Sequence, residues 1–235
     1  MKAVILAGGK GTRLRPYTTV FPKPLVPVGD MPILEIVLRQ LKRNGIEEIT
    51  LAVGHLAGLI KAFFGNGEKL GLNITYSMED KPLGTVGPLS LIDGLVSDFL
   101  VMNGDLLTTL SYSDLIDKHK EKKAMATIAV HRRDVKIDLG VLKFNEESNV
   151  TEYIEKPTYH YWVSMGVYVF SPDILKYAEK NKYLDFPDLI HILLEKEKKV
   201  YGYQSNDYWL DIGRQDDYQE AIEVFESKKH LFLGD

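Results

Sequence analysis

The sequence predicts an α/β fold: a mixed, mainly parallel sheet flanked by helices, with a small antiparallel extension. Three observations lead there. Short apolar runs alternate with amphipathic stretches over roughly residues 1–125, the rhythm of βαβ units. A glycine-rich turn follows the first apolar run directly, where parallel α/β sheets place ligand-binding turns. After residue 125 the apolar runs crowd together without helical patterns between them, as antiparallel neighbours do.

Each element follows from its pattern. Residues 3–7 (AVILA) read as a buried strand, and residues 33–43 as a helix that collects Ile33, Ile36, Val37 and Leu41 on one face. Residues 49–53 form the next strand and 59–64 a short helix. Strands at 74–77 and 99–102 bracket a helical candidate at 85–95, and 112–123 is amphipathic and charged. Strand candidates then crowd at 127–130, 140–144, 150–154 and 162–170. Helices return at 173–179, 188–196 and 215–227, and Pro172 suits the first turn of the first of these. No repeat, linker or low-complexity tract divides the chain. Residues 1–235 therefore read as one domain, with a βαβ part (1–125) and a second part (126–235).

Composition narrows the function. The 235 residues carry 29 Lys and Arg against 33 Asp and Glu, a net charge of −4. That balance argues against a protein that lives on nucleic-acid phosphates. Cysteine is absent, which removes disulfides and thiolate chemistry and suits a reducing, cytoplasmic setting. The opening apolar run is too short for a leader or a membrane span, and no later run approaches about 18 apolar residues. The expected partners are small molecules, with neither nucleic acid nor membrane.

The most informative stretch is Leu6-Ala7-Gly8-Gly9-Lys10-Gly11-Thr12-Arg13-Leu14-Arg15-Pro16. Glycines after a strand allow a sharp turn that points N–H groups at phosphate oxygens, and Arg13 adds a bidentate cation. A plain strand-end turn with surface arginines has the same composition. Two familiar phosphate loops fail. No Lys-Ser or Lys-Thr follows the glycines as a P-loop requires, and Leu14 stands at the last glycine position of a dinucleotide fingerprint. Farther on, Pro22-Lys23-Pro24 fixes a lysine on a stiff, extended segment, ten positions beyond Arg13.

Leu6 to Arg13, Pro16, Thr18 and Pro22-Lys23-Pro24 together resemble the sugar-1-phosphate nucleotidyltransferases, the nucleotide-sugar pyrophosphorylases. Their pattern L-A-G-G-x-G-T-R-L-x-P-x-T followed by P-K-P is matched at every fixed position, and the look is nearest to mannose-1-phosphate guanylyltransferase-like members. The resemblance implies a Rossmann-like nucleotide-diphospho-sugar transferase (GT-A-like) fold, with residues 1–125 as the nucleotide-binding part and 126–235 as the sugar-phosphate-binding part. It implies the reaction NTP + sugar 1-phosphate ⇌ NDP-sugar + pyrophosphate with Mg²⁺, in the synthesis of glycan, capsule or lipopolysaccharide precursors. Arg13 and Lys23 would be catalytic. Leu6, Ala7, Gly8, Gly9, Gly11, Thr12, Glu79, Gly84, Thr85 and Gly104 would bind the nucleotide.

Two aspartates follow strand candidates: Asp105 in Asn103-Gly104-Asp105 and Asp211 in Trp209-Leu210-Asp211-Ile212-Gly213. Each alone has the look of a turn or cap residue. The resemblance makes them the Mg²⁺ ligands, since Mg²⁺ takes few carboxylates together with phosphate oxygens. It also implies direct in-line attack of the sugar phosphate on the α-phosphorus, without a covalent intermediate.

The stretch from Glu79 to Leu89 resembles the family's base-reading loop, with Gly84 letting the backbone approach the base. Relatives that use thymine or uracil commonly carry Gln where this chain has Glu79. A carboxylate only accepts hydrogen bonds and matches the N1–H and N2–H₂ of guanine, so the expected nucleotide is GTP; a solvated loop glutamate is the alternative.

Glu155-Lys156-Pro157 matches the family's E-K-P motif and Gly140 its sugar-side glycine. Ser164 stands where many relatives carry a sugar-contacting Asn. Mannose 1-phosphate, a heptose 1-phosphate and modified sugars all stay open. Thymidylyl, uridylyl or cytidylyl transfer to a hexose 1-phosphate, and a silent nucleotide-sugar sensor, remain the rival readings.

The six histidines show no metal-binding spacing and read as surface or core residues. Tyr159, Tyr161 and Trp162 read as strand packing or as the border of a sugar site. The chain ends shortly after its last helix candidate, so no β-helix or acyltransferase domain, and no regulation through one, is expected. Leu231, Phe232 and Leu233 would dock on this chain or on a neighbour in a homo-oligomer.

Overall fold

In the computed structural model, residues 1–234 are described. The chain runs β1 (Lys2–Leu6), β2 (Pro27–Val28), β3 (Met31–Pro32), α1 (Ile33–Arg43), β4 (Glu48–Val53), α2 (Ala57–Phe64), β5 (Asn73–Met78), β6 (Phe99–Asn103), β7 (Leu106–Thr108) and α3 (Tyr112–Lys122). It continues through β8 (Ala126–Lys136), β9 (Val141–Phe144), β10 (Val150–Ile154), β11 (Thr158–Phe170), α4 (Phe186–Glu195), β12 (Val200–Ser205), β13 (Trp209–Asp211) and α5 (Gln215–Leu233).

Seven strands form one sheet in the order β12-β8-β11-β6-β1-β4-β5. The pairs β5/β4, β4/β1, β1/β6 and β8/β12 are parallel, and β11 runs antiparallel to both β6 and β8. Only β11 opposes the common direction, so the sheet is mainly parallel and mixed, as the sequence predicts. The central strands are buried on both faces: Ala3, Val4, Ile5, Leu100, Val101 and Met102 are wholly inaccessible. Such strands read as continuous apolar runs.

Helix α1 buries Ile33, Leu34, Ile36, Val37, Leu38 and Leu41. Glu35 in its first turn and Lys42 and Arg43 in its last complement the helix dipole. Helices α1, α2 and α3 close one face of the sheet, where Leu34, Val37, Ile60 and Leu115 share a core with Ile5 and Met102. Helix α4 closes the other through Phe186, Leu189 and Leu193 beside Phe99 and Phe170.

Three expectations change. Residues 85–95 are no α-helix; only a 3-10 turn, Gly87–Leu91, forms there. The backbone of Val86 and Gly87 instead donates to the Leu184 carbonyl, at 2.9 and 3.1 Å, which draws the segment away from a helical path. Residues 173–179 are likewise a 3-10 turn, Pro172–Tyr177. Finally, the crowded strands after residue 125 are not all an extension: β8, β11 and β12 complete the main sheet, and only β9 and β10 pair apart from it.

The C-terminal helix is longer than expected and reaches Leu233 with a break at Lys228. Phe232 is buried at 5.8 Å from Phe225 and 5.8 Å from Tyr208. The terminal apolar cluster therefore docks on this chain through Phe232, while Leu231 stays exposed.

Candidate active site

The order of strands places β4 on one side of β1 and β6 on the other. The chain thus leaves β1 at a switch point, and the crevice outside the strands' carboxyl ends opens there. A cavity of about 720 Å³ occupies it. Leu6, Ala7, Gly8, Gly9, Lys23, Glu79, Gly84, Thr85, Gly104 and Asp105 all line this cavity. A recess of about 190 Å³ joins Gly11, Thr12 and Arg13 to Lys23 and Asp105. Every nucleotide-side residue singled out in the sequence, both cations and one of the two aspartates thus border the two spaces.

The local chemistry explains the convergence. Gly11 has φ +60°, and a Cβ on it would stand 3.0 Å from the Lys23 Cβ and 3.0 Å from Thr18 Cγ2; the glycine lets Lys23 pass close by. The Thr18 hydroxyl donates to the Gly11 carbonyl at 2.6 Å and fixes the turn. Lys23 is not on an extended segment as expected. Pro22 is extended, but Lys23 opens a 3-10 turn, Lys23–Leu25, closed by a bond from the Leu25 N–H to the Pro22 carbonyl of 2.9 Å. The lysine is buried to 9% exposure and its ammonium is ion-paired with Asp105.

Asp211 reaches the same place through a short two-stranded pairing. Strand β13 lies antiparallel to β7 with Asp211 opposite Leu106, and Ile212 N–H donates to the Asp105 carbonyl at 3.2 Å. The chain then turns at Gly213, which borders Arg13; a Cβ there would lie in ordinary contact with the guanidinium, at 3.4 Å. Burial pushes the Asp211 carboxyl above the usual carboxylate range and the nearby Asp105 charge adds to this, while Lys23 and Arg13 oppose it. Two carboxylates and two cations therefore act on one another at one edge of the sheet. Among the described residues no group of three or more His, Cys, Asp or Glu makes a ready metal cage; this pair is what the site offers a cation.

On the other wall, Glu79 Oε1 stands 2.8 Å from where a Gly8 Cβ would be, and Oε2 accepts from Leu83 N–H at 3.1 Å. Gly84 has φ +79° and seats against Leu184 and Asp185: a Cβ would meet the Leu184 carbonyl at 2.6 Å. Its glycine is required by that packing, a reason different from the base approach expected of it. Gly104 is likewise pressed onto β1: its N–H donates to the Leu6 carbonyl at 3.0 Å, and a Cβ would stand 3.2 Å from that oxygen.

The four sugar-side candidates are not brought to either space. Gly140 precedes β9, and a Cβ there would strike the Tyr153 hydroxyl at 2.3 Å; packing on Tyr153 accounts for the glycine. Glu155 accepts from the Tyr153 hydroxyl at 2.7 Å, and Lys156, at φ +44°, holds its Nζ 3.9 Å from Glu155. Ser164 bonds the Tyr168 hydroxyl at 2.9 Å. Its neighbour Gly166 abuts Asn103, a cavity residue, so this segment of β11 borders the site without lining it. Tyr159, Tyr161 and Trp162 pair across to β8 and line neither space.

Lys10, His55, Asn103 and Tyr183 also line the cavity and were missed. Lys10 and Asn103 lie inside motifs already singled out, so proximity alone would have found them. His55 and Tyr183 carry no local signal.

A family model described as nucleotidyl transferase matches residues 2–228. The chain belongs to the nucleotidyl transferase family. Among family members, a UTP–glucose-1-phosphate uridylyltransferase of Synechocystis is 33% identical over 242 residues, covering 94% of this chain and 62% of that protein. A mannose-1-phosphate guanylyltransferase of Mycobacterium tuberculosis is 34% identical over 227 residues, covering 92% of this chain and 62% of that one. The chain thus spans under two thirds of the length of these relatives.

Among solved structures, HddC from Yersinia pseudotuberculosis in complex with GMP-PN superposes with a TM-score of 0.72 at 25% identity, covering 95% of this chain and 99% of that one. The Bacillus anthracis protein assigned as a glucose-1-phosphate thymidylyltransferase, in complex with a sucrose, gives a TM-score of 0.78 at 26% identity, covering 95% and 94%. The fold is that of nucleotide-diphospho-sugar transferases. No helix among the described residues is long and apolar enough to cross a membrane.

Proposed function

We propose that this chain transfers a nucleotidyl group from GTP to a manno-configured sugar 1-phosphate and releases pyrophosphate. One observation carries the reading: Arg13, Lys23, Asp105 and Asp211 converge at the mouth of a glycine turn. Phosphoryl-type transfer between two anionic reactants depends mainly on positioning and charge neutralisation, and this cluster offers both.

In the reaction an oxygen of the sugar phosphate bonds to the α-phosphorus. The bond from that phosphorus to the bridging oxygen breaks, and pyrophosphate leaves with the electron pair. Backbone N–H groups of the turn from Gly8 to Thr12 would hold the triphosphate. Arg13, exposed at the rim of the recess, would bind the leaving pyrophosphate. Lys23 would hold the α-phosphate against the incoming sugar phosphate. The donor set, two neighbouring carboxylates with space for phosphate oxygens beside them, fits Mg²⁺; Asp105 and Asp211 would hold it. When bound, the ion supplies neutralisation of the negative charge shared by the two phosphates.

Glu79 supports guanine. Its carboxylate borders Gly8 and Gly54 in the cavity wall, and each carboxylate oxygen has two lone pairs, so the bond from Leu83 N–H leaves capacity for both donors of guanine. Lys156 is proposed for the sugar phosphate, and Glu155, Gly140 and Ser164 for the sugar, with the Glu155 carboxylate accepting from its hydroxyls. The relatives include both guanylyl- and uridylyltransferases, so the test offers every nucleotide. The protein is incubated with mixed GTP, UTP, dTTP and CTP, Mg²⁺, and a panel of mannose, heptose and glucose 1-phosphates, and products are identified by mass. A GDP-sugar is the expected product. A UDP- or dTDP-sugar would overturn the assignment to Glu79, and no nucleotide-sugar from any pair would favour the sensor.

A further inference from the structure

The wall of the cavity that carries Glu79, Gly84 and Thr85 is fastened to residues a hundred positions later. Leu184 N–H donates to the Leu83 carbonyl at 3.0 Å, and the Leu184 carbonyl accepts from Val86 and Gly87. Those backbone bonds do not involve the Asp185 side chain. Of the side-chain bonds, three end on one carboxylate. Asp185 Oδ1 accepts from Thr85 N–H at 2.9 Å and from the Thr85 hydroxyl at 3.1 Å. The Thr85 hydroxyl oxygen accepts in turn from Phe186 N–H at 2.9 Å. The other oxygen, Oδ2, accepts from the Tyr183 hydroxyl.

Asp185 does not line the cavity, whereas Gly84, Thr85 and Tyr183 do. Gly84 leaves no slack between the two segments, since a Cβ would fall 2.8 Å from Asp185 Oδ1. The carboxylate sits at the N-terminal end of α4, yet it makes no cap bond to that helix; it bonds Thr85 and Tyr183 in the cavity wall instead. Charge-assisted bonds of this kind are the stronger ones, and a loop held by several resists displacement.

Resting on the reading of this cavity as the nucleotide site, we infer that Asp185 is a positioning residue that fixes the loop carrying Glu79, and so sets nucleotide affinity and base selectivity. It touches no substrate; it acts through Thr85 and Tyr183. Asp185→Ala removes all three ties. Asp185→Asn keeps an acceptor for Thr85 N–H and loses the charge. Tyr183→Phe keeps the ring and removes one tie.

The test is steady-state kinetics with GTP and UTP, together with calorimetric binding of Mg·GTP. Asp185→Ala should raise KM and Kd for GTP about tenfold, narrow the GTP-over-UTP preference, and lower kcat less than about threefold. KM for the sugar 1-phosphate should stay within about twofold. Asp185→Asn and Tyr183→Phe should shift the same quantities by less, and they carry the test if Asp185→Ala fails to fold. A folded Asp185→Asn with unchanged KM and selectivity, or a loss confined to kcat or to the sugar phosphate, would overturn the inference. Lys23→Ala is measured alongside. If it binds GTP as well as the parent does, the nucleotide-site reading itself fails; if it loses GTP while Asp185→Ala and Asp185→Asn bind normally, only the role of Asp185 fails.

Discussion

Lys23 and Asp105, 82 positions apart in the chain, form an ion pair at the carboxyl edge of the central sheet. A lysine buried to 9% exposure needs such a partner, because an unpaired charge away from water is costly. The pair also keeps a cation where a triphosphate would arrive. The same contact thus serves folding and the proposed chemistry, and the two are separable by substitution.

Lys23→Met keeps the aliphatic stem and removes the charge. Turnover, followed as pyrophosphate release, should fall by about a thousandfold, in the range seen when a preorganised electrostatic contact is lost. Asp105 is then left without its cation, yet it retains some access to water, so the loss of stability should stay near 1–3 kcal/mol. Denaturant unfolding measures that cost independently of activity.

Removing divalent ions with EDTA should abolish pyrophosphate release, and added Mg²⁺ should restore it. Asp211→Asn should raise the Mg²⁺ concentration for half-maximal rate by at least about tenfold. An unchanged Mg²⁺ dependence in that variant would remove Asp211 from the metal site.

Gly11→Ala tests the turn. A side chain at φ +60° is strained by about 1–2 kcal/mol, and its Cβ would fall 3.0 Å from Lys23 and Thr18. A lower melting temperature together with a lower kcat/KM is expected. Gly9, with nothing within 4 Å of a Cβ, should accept alanine with little loss of stability.

His119 gives a pH dependence of stability. Its ring is buried, bonds the Thr127 hydroxyl at 2.8 Å and lies 3.8 Å from Asp98. Burial lowers its pKa, Lys120 lowers it further, and Asp98 partly restores it. The unfolded chain therefore takes up a proton near pH 6.5 that the folded chain refuses until lower pH. Stability from this group is present above that pH and is lost as pH falls below it. Melting temperatures of the parent should drop between about pH 7 and 5 more steeply than those of His119→Gln; parallel slopes would contradict the assignment.

Much of the site was legible because its motifs are local. The glycine turn, Pro22-Lys23-Pro24 and the two aspartates each announce themselves within a few residues, and the strands at β1 and β6 are continuous apolar runs. What stayed hidden depends on contacts made far along the chain. Residues 85–95 carry apolar spacing suited to a helix, but hydrogen bonds to Leu184 decide their path. Asp185 and Tyr183 show no motif at all; their role exists only once residues about a hundred positions apart meet. Close-spaced strands after residue 125 signal antiparallel pairing correctly for β8 and β11, yet sheet order is non-local, so their membership in the main sheet does not show. Glycines 84 and 140 each also have a packing reason that does not show in the sequence: a neighbour, Leu184 or Tyr153, leaves no space for a side chain.

The account stands or falls on a single gathering of charge around a nucleotide. A crystal structure of the protein with Mg²⁺ and a non-hydrolysable GTP analogue tests it directly. The account predicts phosphate oxygens within hydrogen-bond reach of Arg13 and Lys23, and the ion between Asp105 and Asp211. A nucleotide bound away from the glycine turn, or an ion held by other residues, would contradict it.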